Sequence, residues 1–146
     1  MKLRASLAAA GAAVVLGTTG ALVLPAVASA HSVTHTLKFT ALQKATAGFT
    51  RATGGIQDTD VNTTGKIIGF DMLYFAATSP SSVAVNYTLD TKGGFLYGTF
   101  TFNPKTGVVT NGKVTGGTGA FKGATGTIKV KTISRTRHAI TITYSG

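Results

Sequence analysis

The sequence predicts an all-β protein, and three features of the chain support that class. From residue 31 onward, apolar and polar residues alternate with a period of two along most segments, as in strands with one buried face. Clusters of Gly, Pro, Asn, Asp and Ser interrupt this alternation at short intervals. No stretch after residue 31 has a convincing helical period. We therefore expect many strands joined by short turns.

The first 30 residues have the pattern of a secretory signal peptide. Two basic residues precede an apolar run, residues 7–24, and the small-residue triplet Ala28-Ser29-Ala30 follows it. A run of about 18 residues is borderline for a transmembrane anchor, the alternative interpretation. The triplet and the lack of a charged stop-transfer cluster favour cleavage after Ala30. We therefore expect a signal peptide at residues 1–30, a single domain at residues 31–146, and export to the extracellular space.

The expected mature domain contains no cysteine, which bounds both its stability and its chemistry. A secreted domain of this size without disulfides must be stabilised by its core and by a well-closed sheet. This requirement favours a barrel. Thiol catalysis and cysteine-ligated metal clusters are excluded, and no metal site is expected.

The charge balance of the mature domain is strongly basic. It retains 12 of the 14 Lys and Arg residues against four Asp and no Glu, a formal charge of +8. Such a surplus attracts anions, which outside the cell include anionic envelope polymers. The lysines are spread singly and are not grouped with aromatic residues, so nucleic acid is not an expected partner. Charge that merely keeps a secreted barrel soluble is the alternative.

The alternating segments and the turn clusters place the strands in order. Asn111-Gly112 has flanks too short for a hairpin, so we expect a bulge within a strand at residues 108–115, and a further strand at residues 125–133. The predicted turns are residues 79–82, 90–94 and 103–107. The predicted apolar faces are Val33-His35-Leu37-Phe39, Val83-Val85-Tyr87-Leu89, Leu96-Gly98-Phe100-Phe102 and Ile140-Ile142-Tyr144.

Two segments depart from simple alternation. Residues 41–64 are polar and rich in glycine, which predicts a loop with at most one short edge strand around Phe49. Residues 67–75 are apolar at both parities, which predicts a strand buried on both faces. In a small barrel without helices, the simplest cover for the second face is another subunit. We therefore expect a homo-oligomer, a dimer or a trimer.

A glycine-rich segment carries a resemblance to a known family. Residues 116–128 read GGTGAFKGATGTI, and residues 65–69 read GKIIG. Glycines at this density permit positive φ angles and close approach of two backbones, as a barrel corner requires. The pattern resembles the allene oxide cyclase and dirigent β-barrels, especially their small secreted bacterial relatives. Other β-barrels, including lipocalin-like ones, share the remaining features.

The resemblance implies a single antiparallel β-barrel of about eight strands that binds a hydrophobic ligand in its lumen. Such a barrel either cyclises or isomerises its ligand without a cofactor, or guides the stereochemistry of its reaction. Because the chain has no Glu, a glutamate-dependent mechanism has no counterpart here. The alternative function is a non-catalytic extracellular protein whose basic exterior binds an anionic envelope polymer or a host surface.

Asp71 and Tyr74 are the candidate catalytic residues. Asp71 interrupts an apolar parity, and an interior position would raise its pKa and suit a proton shuttle. An interface aspartate paired with Lys or Arg is the alternative. The hydroxyl of Tyr74 could orient the polar end of an apolar ligand, or could lie at the barrel rim.

Six further residues are candidate ligand-binding residues because they lie on apolar strand faces. The two histidines among them could titrate within a cavity, although a hydrogen-bonded core histidine is the commoner case. Asp58 and Asp60 flank Thr59 in the expected loop. Their spacing could hold a hard cation with Asn62, but solvated loop carboxylates are the favoured interpretation. The six candidates are Phe70, Met72, Tyr87, Phe100, His35 and His138.

Overall fold

The computed structural model describes residues 32–146, which form eight antiparallel strands closed into a barrel. This confirms the predicted all-β class and barrel architecture. The predicted signal peptide lies outside the described residues. Across residues 32–146, no helix has the length and apolar character needed to cross a membrane. The strands are β1 (Thr34–Ala47), β2 (Thr53–Val61), β3 (Ile67–Ser79), β4 (Ser82–Thr91), β5 (Gly94–Phe102), β6 (Val109–Gly117), β7 (Thr125–Ser134) and β8 (Arg137–Ser145).

The barrel is closed by pairing between its first and last strands. Neighbouring strands pair in chain order, and β1 pairs with β8 from Thr34 opposite Ser145 to Leu42 opposite Arg137. Closure leaves no unpaired sheet edge, the only full solution to the edge-strand problem. The shortest ladder joins β6 to β7, where two residue pairs match across the strands. The glycine-rich segment, residues 116–128, begins two residues after Val114, the last β6 residue in this ladder, and leads into β7.

One end of the barrel is closed by the glycine-rich segment itself. A 3₁₀ turn, Gly119–Phe121, connects β6 to β7 and places Phe121 inside with 5% of its surface exposed. The Phe121 ring meets that of Tyr144 edge-on at a centroid distance of 5.5 Å. Because connections alternate between the two ends, the β1–β2, β3–β4, β5–β6 and β7–β8 connections surround the other end, which is open.

The bulge expected at Asn111-Gly112 is confirmed. Asn111 lies in β6 with a φ of 55°, in the left-handed region, and the register between β5 and β6 shifts at this point. Asn tolerates this conformation better than most residues with a side chain. A Cβ at Gly112 would collide with the backbone carbonyl of Ile128. Glycine is therefore required where the bulge brings β6 against β7.

The prediction of a loop across residues 41–64 is wrong. In the structure β1 continues to Ala47 and β2 begins at Thr53, so five residues connect them. Phe49, expected near a short edge strand, lies in this connection. The polar sequence of β2 suggested a loop, but ladders to β1 and β3 hold its backbone as a strand whatever its side chains.

Strand β3 has one interior face and one exposed face in the single chain. Gly69 and Asp71 are buried in the barrel, whereas Phe70, Met72 and Tyr74 are 46%, 59% and 54% exposed. The predicted burial of both faces is therefore not met within residues 32–146 of one chain. Three large apolar residues in a row on an exposed strand face form an uncovered apolar surface.

A glycine substitution tests the close approach of β3 and β4. A Cβ at Gly69 would run into the backbone carbonyl of Asp90, whereas a Cβ at Gly55 in β2 would find its nearest atom at 3.7 Å. We expect Gly69→Ala to lower the free energy of unfolding by about 1–3 kcal/mol, as overpacking does. Chemical denaturation measures the change. Gly55→Ala is the matched control and should change stability by less than about 0.5 kcal/mol; equal effects in the two variants would contradict the packing.

Candidate functional site

The open end of the barrel leads into an apolar cavity of about 350 Å³. Phe49 and Phe75 frame one side of its entrance, with their rings edge-to-face at 5.0 Å. Gly54 lies beside the Phe75 ring and leaves space for it, because a Cβ there would touch the ring. Further apolar lining comes from six strands, and includes Ile56, Leu73, Val85, Phe100, Val130 and Ile140.

The inner end of the cavity meets a cluster of buried carboxyl groups. Asp58 and Asp60 come from β2 and Asp71 from β3, with 3%, 0% and 0% of their surfaces exposed. Asp58 and Asp71 are direct cross-strand partners, so their side chains project to the same, interior side of the sheet. Asp58 lines the cavity, whereas Asp60 and Asp71 are fully buried outside its lining. We call these three residues the acidic cluster.

Tyr87 of β4 completes this deep region. Its cross-strand partner is Leu73 of β3. Asp71 is the adjacent interior residue of β3, so the side chains of Tyr87 and Asp71 are diagonal neighbours. Tyr87 is 2% exposed. Burial and the negative potential of Asp71 raise the pKa of the Tyr87 hydroxyl well above its ordinary value of 10.0. Tyr87 is therefore a neutral hydrogen-bond donor beside the acidic cluster.

Burial raises the pKa of every carboxyl in the cluster. Desolvation moves the pKa of Asp58 to about 6 and, with the charge of Asp58 nearby, that of Asp60 to about 7. Asp71 has the highest pKa, about 9, because desolvation is followed by repulsion from both other carboxylates. At neutral pH, Asp71 is therefore protonated and Asp58 is mostly ionised. The cluster holds protons that ordinary aspartates release near pH 4.

Protonation also explains how the buried oxygens of the acidic cluster can form hydrogen bonds. Both side-chain oxygens of Asp60 and of Asp71, and the Tyr87 hydroxyl, are buried without a hydrogen-bond partner of good geometry. Asp60 and Asp71 nevertheless influence each other's pKa as a hydrogen-bonded pair would. Two ionised carboxylates are both acceptors and cannot bond, whereas one protonated member can donate to the other. A proton shared by Asp60 and Asp71 is thus the arrangement with the lowest cost.

His138 lies in the cavity wall on β8, two strands away from β2. It projects from β8 next to Ala41 of β1, and lines the cavity together with Thr132 of β7. Desolvation lowers the pKa of His138 below 6.5, so the imidazole is neutral at physiological pH. The lining contains no Lys or Arg. The cavity is therefore apolar along its walls, with Asp58 as its ionisable group at the inner end and a neutral imidazole at the side.

The acidic cluster does not form a metal site. No group of three or more Asp, Glu, His or Cys side chains within residues 32–146 has a geometry that could hold a metal ion. Asn62, considered above as a partner of Asp58 and Asp60, is engaged elsewhere. Its side-chain oxygen accepts hydrogen bonds from the backbone N–H groups of Thr64 and Lys66 at 3.0 and 2.9 Å.

The structure brings four of the eight candidate residues to the cavity and the cluster and leaves four outside. Phe100 and His138 line the cavity, and Asp71 and Tyr87 lie beneath it. Phe70, Met72 and Tyr74 project from the exposed side of β3, because Asp71 and its alternate neighbours occupy the interior side. His35 stacks on Tyr144 at 5.3 Å near the closed end, away from the cavity.

Asp58 and Asp60 are the residues that sequence reasoning missed. They are not solvated loop carboxylates as predicted, but interior residues of β2. A signal was present, since Gly54, Ile56, Asp58 and Asp60 share one parity of the strand. That parity is half polar, so hydrophobic alternation could not identify it as an interior face.

Comparison with solved structures identifies the barrel architecture in other proteins. One match is pyocyanin demethylase, with a TM-score of 0.63 and 16% sequence identity over 75% of this chain and 99% of that chain. Identity this low shows a shared fold alone. No protein-family model matches the chain, and no curated protein matches it. The resemblance drawn from the glycine-rich segment is thus supported as far as the barrel fold, and membership of the allene oxide cyclase or dirigent family is not shown.

The raised pKa values predict that stability falls with increasing pH. The folded protein retains protons on Asp58, Asp60 and Asp71 that the unfolded chain releases near pH 3.8. Their stabilising effect is therefore complete below about pH 4 and is lost progressively as pH rises to about 9, by up to about 1.4 kcal/mol per pH unit for each proton. Urea denaturation across this range measures the profile.

The variant Asp71→Asn isolates the group that ionises last. Because asparagine is neutral at all pH values, we expect a flatter profile than that of the natural protein above about pH 7. Thr36→Asn is the control, because it introduces the same amide at an exposed position on β1 without removing a carboxyl, and it should leave the profile unchanged. A natural protein whose stability rises between pH 7 and 9 would contradict a protonated Asp71.

Proposed function

We propose that the barrel binds a small, mainly apolar molecule in its cavity and guides or catalyses a cyclisation or isomerisation of that molecule. The observation that carries the proposal is the apolar cavity with a buried carboxyl at its inner end. Ligand sites are typically apolar clefts of about 300–1,000 Å³ with a few polar groups that fix orientation. At about 350 Å³, this cavity suits a small ligand.

The acidic cluster suits proton chemistry at the polar end of such a ligand. Asp58 is the carboxyl that a ligand in the cavity can reach, and its pKa of about 6 leaves it mostly ionised near neutral pH. It can accept a hydrogen bond or a proton from the ligand. Asp71, with a pKa of about 9, holds a proton directly behind Asp58 and can return it. In this proposal Asp58 takes the substrate-facing role first considered for Asp71.

Confinement supplies the other part of the proposed activity. A flexible molecule held by apolar walls on several sides reaches a reactive shape without the entropy cost it would have in water. The structural neighbour supports this use of the fold, since pyocyanin demethylase is by name an enzyme that acts on a small molecule. The proposal takes from this neighbour only that such a barrel can serve small-molecule chemistry. The neighbour's reaction is not proposed for this protein.

We also propose that the protein works outside the cell as a homo-oligomer. Its apolar face consists of Phe70, Met72 and Tyr74 of β3 with Phe95 and Tyr97 of β5, all at least 38% exposed. No Lys or Arg occurs in β3, β4 or β5, so two copies can meet here without juxtaposing cations, despite the charge of each. A second copy is the occupant that fits an apolar patch without cations, in which Asp90 of β4 is the one acidic side chain.

A neutral apolar dye tests binding in the cavity. N-phenyl-1-naphthylamine should bind the protein with a gain of fluorescence, and Val130→Phe should raise its Kd about tenfold or more by filling the cavity. Ile133→Phe is the matched control, because Ile133 lies in the same strand but is 53% exposed and outside the cavity lining. Loss of dye binding in both variants, or in neither, would rule against the cavity as the ligand site.

A single charge on the apolar face tests oligomerisation. Sedimentation velocity should find a dimer or trimer for the natural domain and a monomer for Met72→Glu, since a carboxylate buried at an interface without a partner costs several kcal/mol, roughly 3–5. Thr36→Glu places the same charge at an exposed position on β1, away from the apolar face, and should leave the oligomer intact. A natural domain that sediments as a monomer at micromolar concentration would contradict the proposal.

A further inference from the structure

The barrel separates its charges by sign, with acids inside and bases outside. Three of the four acidic side chains of residues 32–146 form the acidic cluster in the interior. The fourth, Asp90, projects outward from β4 between Phe70 and Phe95, its cross-strand partners on the apolar face. The remaining exterior of residues 32–146 therefore has no Asp or Glu to neutralise its lysines. The cations of the exterior are thus the main source of the field outside the barrel.

The exposed lysines of the strands are concentrated on one side of the barrel. Lys38, Thr141 and Lys129 lie side by side in one cross-strand row of β1, β8 and β7. Lys131 is two residues further along β7, and Lys113 of β6 pairs with Thr127. All four lysines are exposed. We call Lys38, Lys113, Lys129 and Lys131 the basic face.

The position and spacing of these lysines follow from the sheet. In a closed eight-stranded barrel, β8 lies opposite β4, so Lys38, Lys129 and Lys131 are on the side away from the apolar face. Lys113 of β6 is at the border of the basic face, where it pairs with Thr99 of β5. Lys129 and Lys131 are about 7 Å apart along the strand, and Lys38 is two strand spacings, about 9.5 Å, from Lys129. Cations at such separations can contact successive charges of one linear polymer.

The residue types of the basic face indicate which anion fits it. Threonines stand between the lysines in the rows, at positions 36, 127, 141 and 143. Lysine ammonium groups and threonine hydroxyl groups are both common phosphate ligands, and the basic face presents them in alternation.

The same surface does not favour nucleic acid or a membrane. Binding of single-stranded nucleic acid combines cations with aromatic side chains on which bases stack. Among residues 32–146, the exposed Phe and Tyr side chains of the strands lie on the apolar face. A membrane-binding surface would carry apolar side chains among its cations, and here Ile133 alone is large, apolar and exposed on β7, at the edge of the face.

We infer that the basic face binds a linear polymer of phosphodiester-linked polyol units, a polyanion without bases. This second binding function is independent of the cavity, because its residues project from the opposite side of the barrel wall. It leaves the cavity entrance free, since Phe49 and Phe75 are at the open end and the basic face is on the wall. It also leaves the apolar face free for a second copy.

A binding assay with a glycerol-phosphate polymer tests the inference. If all four lysines contact phosphates, the affinity should fall about 50-fold between about 50 and 200 mM salt, from a counterion-release slope of about −0.7 per contact. The double variant Lys129→Gln/Lys131→Gln should lose about tenfold or more in affinity and about half of this slope. Isothermal titration calorimetry at several salt concentrations measures both quantities.

The matched control removes the same charge elsewhere. Lys92→Gln/Lys122→Gln changes two lysines of the connections at the closed end, and should keep the affinity and slope of the natural domain. Equal losses in the two double variants would overturn the inference, because net charge alone would then explain binding. Tighter binding to single-stranded DNA of the same charge, or binding confined to phosphatidylglycerol vesicles, would overturn it in favour of those partners. Unchanged dye binding in Lys129→Gln/Lys131→Gln would show that the variant is folded.

Discussion

Closure of the sheet is the constraint on which the rest of the structure depends. Once β1 pairs with β8, every strand is hydrogen-bonded to two neighbouring strands. Each strand residue must then face either the lumen or the exterior. A polar strand such as β2 is then held in place by its backbone alone. This is how Asp58 and Asp60 come to lie in the interior beside Asp71, although isolated carboxylates would avoid it. Raised pKa values and shared protons are the consequence.

The same closure divides the exterior into surfaces of different chemistry. Strands β3 to β5 contribute large apolar side chains without a single cation, and strands β6, β7 and β1 contribute lysines separated by threonines. Because Asp58, Asp60 and Asp71 lie in the lumen, the exterior has few acidic side chains. A small barrel can therefore combine an enclosed ligand site, a surface for a second copy and a polyanion-binding surface, because the three use different sides of the same wall.

Much of the fold could be predicted from the sequence, but less of the site. Alternation identified the faces that contain Val85, Phe100 and Ile140, because these strands follow the rule of one apolar face. It did not identify β2, whose interior positions are half polar. In β3 both parities are apolar, so the sequence could not decide whether Asp71 or Tyr74 faces inward. The ladder with β4 decided it, since Asp71 lies opposite the buried Leu89.

By itself, the sequence determined the all-β class, the positions of most turns, the bulge at Asn111 and the basic character of the chain. These depend on local rules: residue alternation, turn chemistry and net charge. Tertiary structure alone decided which carboxyls share the lumen, that Phe121 closes one end, and that the lysines of different strands form one face. Each of these depends on register between strands, which hydrogen bonds between distant segments determine and local sequence does not.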